Sequence, residues 1–109
     1  MESAATDTPV VTHNPAASRY ELHVGTALAG FVTYRFDDED QVLALLHTEV
    51  EPAFKGEHLA TLLARFSLDD ARARGLAVLP YCPYIASWIR KHPEYTDLVP
   101  VVYRPDFGL

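Results

Sequence analysis

Polar and apolar residues alternate from Arg19 to Val24 (Arg-Tyr-Glu-Leu-His-Val), and Gly25 closes the run. Alternation of this kind gives the chain one apolar face and predicts a strand. Ala27 to Phe36 continues with Phe31, Val32, Tyr34 and Phe36 before the acidic turn Asp37-Asp38-Glu39-Asp40. Aromatic and β-branched residues suit a half-buried pleated surface, so this stretch reads as a second strand. From Val42 the chain is almost continuously apolar as far as His47, which predicts a central strand over 42–50 with both faces covered. Three successive strands joined by short turns make an antiparallel meander.

The period then changes. Leu59, Leu62, Leu63 and Phe66 stand at i, i+3, i+4 and i+7, one face of a helix, with Glu57, Arg65, Asp69 and Arg72 opposite. Arg72 and Arg74 followed by Gly75 mark its end: cations in the last turn, then a residue free to take positive φ. Leu76 to Leu79 predicts a short buried strand, and a strand–helix–strand crossover makes it parallel to the strand that ends at Val50. A second helix is expected from about Pro83, carrying Ile85, Trp88 and Ile89 inward and stopping at His92-Pro93. Residues 1–16 are expected as a flexible lead-in, 17–99 as the folded domain and 100–109, with two prolines, as an extended tail. The fold class is therefore α/β (α+β), a mostly antiparallel sheet with one parallel crossover.

Composition narrows the function classes. A chain of 109 residues is one domain. Its net charge of −6, without any run of Lys or Arg, argues against a nucleic-acid partner, because phosphate backbones are bound through clustered cations. No apolar run approaches the ~20 residues of a membrane span, so no membrane partner is expected. The N-terminus lacks the basic-then-apolar layout of a signal peptide. A single cysteine cannot form an internal disulfide, and the expected location is cytoplasmic.

The candidate chemistry centres on His47-Thr48-Glu49-Val50 and the stretch Phe54 to Ala60. Here a strand ends, a short loop follows, and a helix begins on a glycine-containing turn. The first backbone N–H groups of a helix have no partner inside it, and the dipole adds positive potential there. Such a junction can cradle phosphates. His47 and Glu49 share one strand face, where either could serve as a general base or simply stand as a solvated charge and a hydrogen-bonded histidine. Cys82, at the mouth of the second helix, is either a thiolate favoured by the dipole or a small buried packing residue. Tyr81 and Tyr84 can donate a proton or pack. Arg90 and Lys91 either meet a phosphate or complement the helix dipole.

Taken in order, His47 to Val50, Lys55 to Ala60, Asp69 to Gly75, Pro80 to Tyr84 and His92 to Tyr95 resemble the GNAT N-acetyltransferase superfamily. The likeness is to its minimal, stand-alone members and runs from about Arg19 to Val99. It implies acetyl-CoA, or coenzyme A, as cofactor, and central strands that splay apart along Leu46–Val50 and Leu76–Tyr81 to admit pantetheine. Pro80 agrees independently, since it cannot donate a ladder bond. The superfamily's pyrophosphate turn reads Arg or Gln, two residues, Gly, one residue, then Gly or Ala. Lys55 takes the first position, His58 the glycine position and Ala60 the last. Lys55 keeps the charge without the planar fork of arginine. His58 puts a side chain where glycine normally lets backbone approach the phosphates.

The resemblance further implies that Thr48, Val50, Lys55, Gly56, Glu57, His58, Leu59 and Ala60 bind the cofactor, with Arg90 toward its ribose 3′-phosphate. Cys82, Glu49, His47 and Tyr84 are the implied catalytic set, Cys82 accepting the acetyl group transiently or protonating the departing sulfur. The implied activity is acetyl transfer to an amine, whether protein lysine, polyamine or small amine. The alternative is a coenzyme A-binding module or sensor without turnover. An exposed strand edge permits a monomer or a weak homodimer.

Overall fold

Five strands lie side by side in chain order in the computed structural model, which describes residues 8–54 and 58–109. They are β1 (Val10–Asn14), β2 (Arg19–Val24), β3 (Ala27–Asp37), β4 (Val42–Val50) and β5 (Ala77–Pro80). The first four pair antiparallel and β4 pairs β5 in parallel, with helix α1 (Leu59–Ala73) as the crossover. Helix α2 (Pro83–Lys91) follows β5. The meander, the parallel crossover and both helices are those the hydrophobic pattern predicts. Gly75 takes φ of 69°, the left-handed conformation that ends α1.

One core joins the sheet to the helices. Tyr20, Leu22, Val32, Leu43, Leu45 and Val78 supply the sheet side, and Leu63, Leu68, Ile85 and Ile89 the helix side. Strand residues on the other face, among them Arg19, Phe31, Thr33, His47 and Glu49, are half-buried or exposed. There Arg19 Nε bonds Glu21 Oε2 at 2.6 Å and its guanidinium lies 4.9 Å above the Phe31 ring. This bond, with one from Asn14, holds the Glu21 carboxyl below its ordinary range.

The expected lead-in needs correction, because β1 begins at Val10 and is an edge strand. Val11 and His13 face the core side, and His13 stacks on Tyr20 with ring centroids 4.5 Å apart. Tyr20 in turn donates its hydroxyl to Asp70 Oδ2 at 2.7 Å, and Arg74 donates to the same oxygen at 2.8 Å. Burial, with this bond to Asp70, pushes the Tyr20 phenol well up, so it stays a donor. An isolated short strand is not stable in water, and β1 exists because β2 and Tyr20 receive it.

Two further expectations change. Leu62 and Phe66 stay more than a third exposed, and α1 turns Leu59, Leu63, Ala64, Ser67, Leu68 and Ala71 inward instead. Leu62 and Phe66 flank a shallow groove beside Val10 and Val11 on β1. The expected extended tail is a 3₁₀ helix over Val101–Phe107. Proline's fixed φ suits that conformation. Arg104 Nε donates to Val99 O at 2.8 Å and Arg90 Nη1 to Phe107 O at 2.7 Å, tying the segment down.

β4 is covered on both faces only over its first half. Leu43, Ala44 and Leu45 are buried, but Leu46 is 38% exposed. The β3–β4 register passes from Tyr34↔Leu45 to Thr33↔His47, leaving Leu46 as the extra residue of a β-bulge. Gly30 lies opposite Val50 at the far end of this ladder. A Cβ there would stand 2.7 Å from the Glu49 carbonyl oxygen and 3.3 Å from Leu63 Cδ1. Gly30→Ala is therefore expected to push β4 outward and cost about 1–3 kcal/mol, read as a lower urea midpoint.

Candidate active site at the open edge of β4

Parallel pairing between β4 and β5 stops at Leu45↔Pro80. Pro80 has no N–H to offer, and one further bond, Cys82 N–H to Leu45 O at 2.9 Å, ends the backbone bonding between the two segments. From Leu46 to Val50 the outer edge of β4 has no partner strand among the described residues. Glu49 pairs with Phe31, and Glu51 N–H donates to Ala29 O at 2.8 Å. In an antiparallel ladder the bonding direction alternates, so the N–H groups of Thr48 and Val50 point away from β3, to the open edge.

That edge borders a cleft of about 590 Å³ lined by His47, Thr48, Glu49, Val50, His58, Leu59, Ala60, Thr61 and Tyr84. The N-terminus of α1 closes one end. His58 is its N-cap and makes no side-chain capping bond among the described residues. His58 has φ of 60° and ψ of 25°, the left-handed conformation. Histidine thus adopts a backbone conformation that glycine takes more readily. Among the described residues lining the cleft there is no Lys or Arg.

The bulge at Leu46 sorts β4's side chains. Thr48 lies opposite the buried Val32, on the helix side, whereas His47 and Glu49 lie opposite Thr33 and Phe31 on the bare face. His47 Nε2 is 3.1 Å from Glu49 Oε1, and both side chains are more than half exposed. They form a solvent-accessible acid–base pair at the rim. Tyr84, from the first turn of α2, reaches across to α1, its hydroxyl 3.3 Å from Thr61 Oγ1.

Eight of the sequence-derived site residues thus converge on the cleft: His47, Thr48, Glu49, Val50, His58, Leu59, Ala60 and Tyr84. Lys55, Gly56 and Glu57 lie outside the described residues. Two do not line the cleft. Cys82 is only 3% exposed and sits behind Thr48, whose Oγ1 is 3.3 Å from its Sγ. Arg90 is at the far end of α2 with its guanidinium on the Phe107 carbonyl. Sequence spacing could not place it, because its partner comes from the C-terminal segment. Thr61 was missed; a hydroxyl residue in the first turn of α1 beside Leu59 and Ala60 was the available signal.

A family profile for the GCN5-related N-acetyltransferases matches residues 19–98. This chain belongs to that family. The matched residues take in β2 to β5 and both helices. Among solved structures, nourseothricin acetyltransferase is similar at 24% identity over 55% of this chain, with a TM-score of 0.46. The chain spans 36% of the length of that protein.

The left-handed His58 carries a backbone cost of about 1–2 kcal/mol that glycine avoids, partly offset in a glycine variant by the greater freedom of its unfolded chain. His58→Gly is expected to raise stability by about 0.5–1 kcal/mol. His58→Val, β-branched and poorly suited to positive φ, is expected to lower it by about 1 kcal/mol. Urea denaturation of the two variants against the parent reads both effects.

Proposed function

We propose that this chain transfers the acetyl group of acetyl-CoA to a primary amine. The observation that carries the reading is a juxtaposition: the edge of β4 left unpaired among the described residues, the N-terminus of α1 and the His47–Glu49 pair border one cleft. A strand edge suits the amide-bearing pantetheine arm, and a helix N-terminus suits a pyrophosphate. The cofactor, when bound, supplies an activated thioester carbonyl.

The chain's residues divide the remaining work. The first amides of α1, with His58 and Lys55, bind the pyrophosphate. The amide of Val50 donates to the thioester oxygen, where negative charge grows as the carbonyl is attacked. Cys82 would accept the acetyl group, its sulfur bonding the carbonyl carbon as the donor's carbon–sulfur bond breaks and its thiol proton passing to the departing sulfur. Glu49, paired with His47, removes a proton from the incoming ammonium. The amine would then attack the Cys82 thioester; as the carbon–sulfur bond breaks, the proton lost from the attacking nitrogen returns to the Cys82 sulfur and restores the thiol. Tyr84 lies where it can donate to a sulfur or to the acceptor. The acceptor reaches Glu49 from the bare face of the sheet, which suits protein lysine, polyamine and small amine alike.

A thermal-shift titration with acetyl-CoA, coenzyme A and dephospho-CoA tests the cofactor. At about 100 times its Kd a ligand adds about 2.7 kcal/mol, a shift on the order of 10 °C for a domain of this size. No shift overturns the cofactor assignment. With binding established, Glu49→Gln is expected to lower kcat about 100-fold with KM for acetyl-CoA within about twofold. Cys82→Ala is expected to abolish acetyl labelling of the protein and most turnover while the thermal shift persists; full turnover would remove Cys82 from the mechanism. A binding module without turnover is favoured by one observation, the burial of Cys82, and it predicts the shift without any product.

A further inference from the structure

β2 begins at Arg19, paired with Thr33, whereas β3 runs on to Asp37. Past Thr33 the outer edge of β3 has no partner strand among the described residues. The turn between β1 and β2 lies beside it, and Tyr34 N–H donates to Ser18 O at 3.0 Å. Bonding direction alternates along an antiparallel ladder, so the Phe36 N–H, two residues on, points the same way. There lies a cleft of about 660 Å³ whose lining includes His13, Ser18, Arg35, Phe36, Leu46 and Arg74. Among the described residues that line it there is no Asp or Glu. It shares no lining residue with the cleft at the β4 edge. Arg74 is the C-cap of α1 and His58 its N-cap, a helix length of roughly 20–25 Å.

The charge of this second cleft is held by arginine. Burial keeps the His13 imidazole below its ordinary range, and its Nε2 is engaged with the Tyr34 hydroxyl. Arg74 donates through Nη1 to Asp70 Oδ2, yet its side chain stays 36% exposed. A guanidinium carries five N–H donors, so that one hydrogen bond leaves others to offer. Arg35 is exposed and has no ion-pair partner among the described residues. Asp37, the next acid along β3, is turned to its own hairpin, where it accepts from the amides of Glu39 and Asp40. Two guanidiniums thus border one hollow in a chain of net charge −6. Between them and solvent stand Phe36 and Leu46, each more than a third exposed, with the Arg74 guanidinium 5.6 Å from the Phe36 ring centre.

We propose that this cleft binds an organic phosphate monoester, its phosphate between Arg35 and Arg74 and its apolar part on Phe36 and Leu46. A monoester approaches two negative charges at pH 7 and presents three terminal oxygens, which two guanidiniums and a backbone N–H match. A carboxylate, with one charge and two oxygens, is satisfied by a single arginine fork. The volume falls in the range of small-molecule sites. The inference stands apart from the acetyl-transfer reading, because it uses none of the residues at the β4 edge.

The test is an NMR titration of the whole ¹⁵N-labelled chain with phenyl phosphate, benzoate and inorganic phosphate in separate arms. Phenyl phosphate is expected to shift the Arg35 and Phe36 amides with a Kd on the order of 1 mM or below. Benzoate and inorganic phosphate are each expected to bind about tenfold more weakly or worse. Arg35→Ala is expected to weaken phenyl phosphate at least about tenfold, and Arg35→Lys, a point charge without the fork, by less. If Arg35→Ala does not fold, Arg35→Gln is read in the same way. An unchanged Kd in the variant overturns the proposal, as do shifts confined to the Thr48–Val50 amides. Benzoate binding as tightly as phenyl phosphate overturns the choice of phosphate, and inorganic phosphate binding as tightly removes Phe36 and Leu46 from the site. No acyl donor or acceptor enters the measurement, so its failure leaves the acetyl-transfer reading untouched, and the reverse holds.

Discussion

The interruption of pairing between β4 and β5 is the constraint on which this molecule's site depends. Over Val42–Leu45 the two strands are paired, with Leu43, Ala44, Leu45 and Val78 buried, and beyond Pro80 the pairing stops. Two local causes act at the same level of the sheet. Pro80 withholds a donor, and the bulge at Leu46 turns the β4 backbone out of register with its neighbour. The amides of Thr48 and Val50 are left facing a cleft. Unpaired edge amides are ordinarily a liability in a sheet. Here the buried first half of β4 and the core that joins Leu43, Leu45 and Val78 to both helices hold the edge in place.

The same bulge decides which chemistry lies on which side. The helix side receives Thr48 and, behind it, a buried thiol at the start of α2. The bare side receives His47 and Glu49, exposed and bonded to each other. The strand edge between them is narrow, so groups from a dry face and a wet face meet at one cleft. The family to which the chain belongs gives that arrangement its context.

The rest of the architecture supports this edge from a distance. Tyr20, donating to Asp70 beside Arg74, joins the middle of the sheet to the end of α1. Gly30 allows β3 to approach the Glu49 carbonyl more closely than any side chain would permit. Arg90 secures the C-terminal 3₁₀ segment through the Phe107 carbonyl, and the Phe107 ring packs edge-on against Tyr81 just beyond β5.

Much of this was legible without coordinates. The period-2 runs of β2 and β3, the 3.6-residue face of α1 and the Arg-Arg-Gly ending are local properties, and local sterics and burial determine them. Pro80 announced a break in pairing, and the His47–Val50 stretch read as the end of a strand, where it lies. What the sequence could not determine are the features that need a partner from elsewhere in the chain. β1 is a strand because β2 and Tyr20 receive it, and Leu62 and Phe66 lie on a flank because α1 crosses the sheet at one angle and not another. Arg90 left the site because a carbonyl seventeen residues away claimed it. Above all, the phase of β4 after Leu46 is a register, and register is agreed between strands; composition made Thr48, Glu49 and Cys82 available, and the tertiary fold chose which of them would touch.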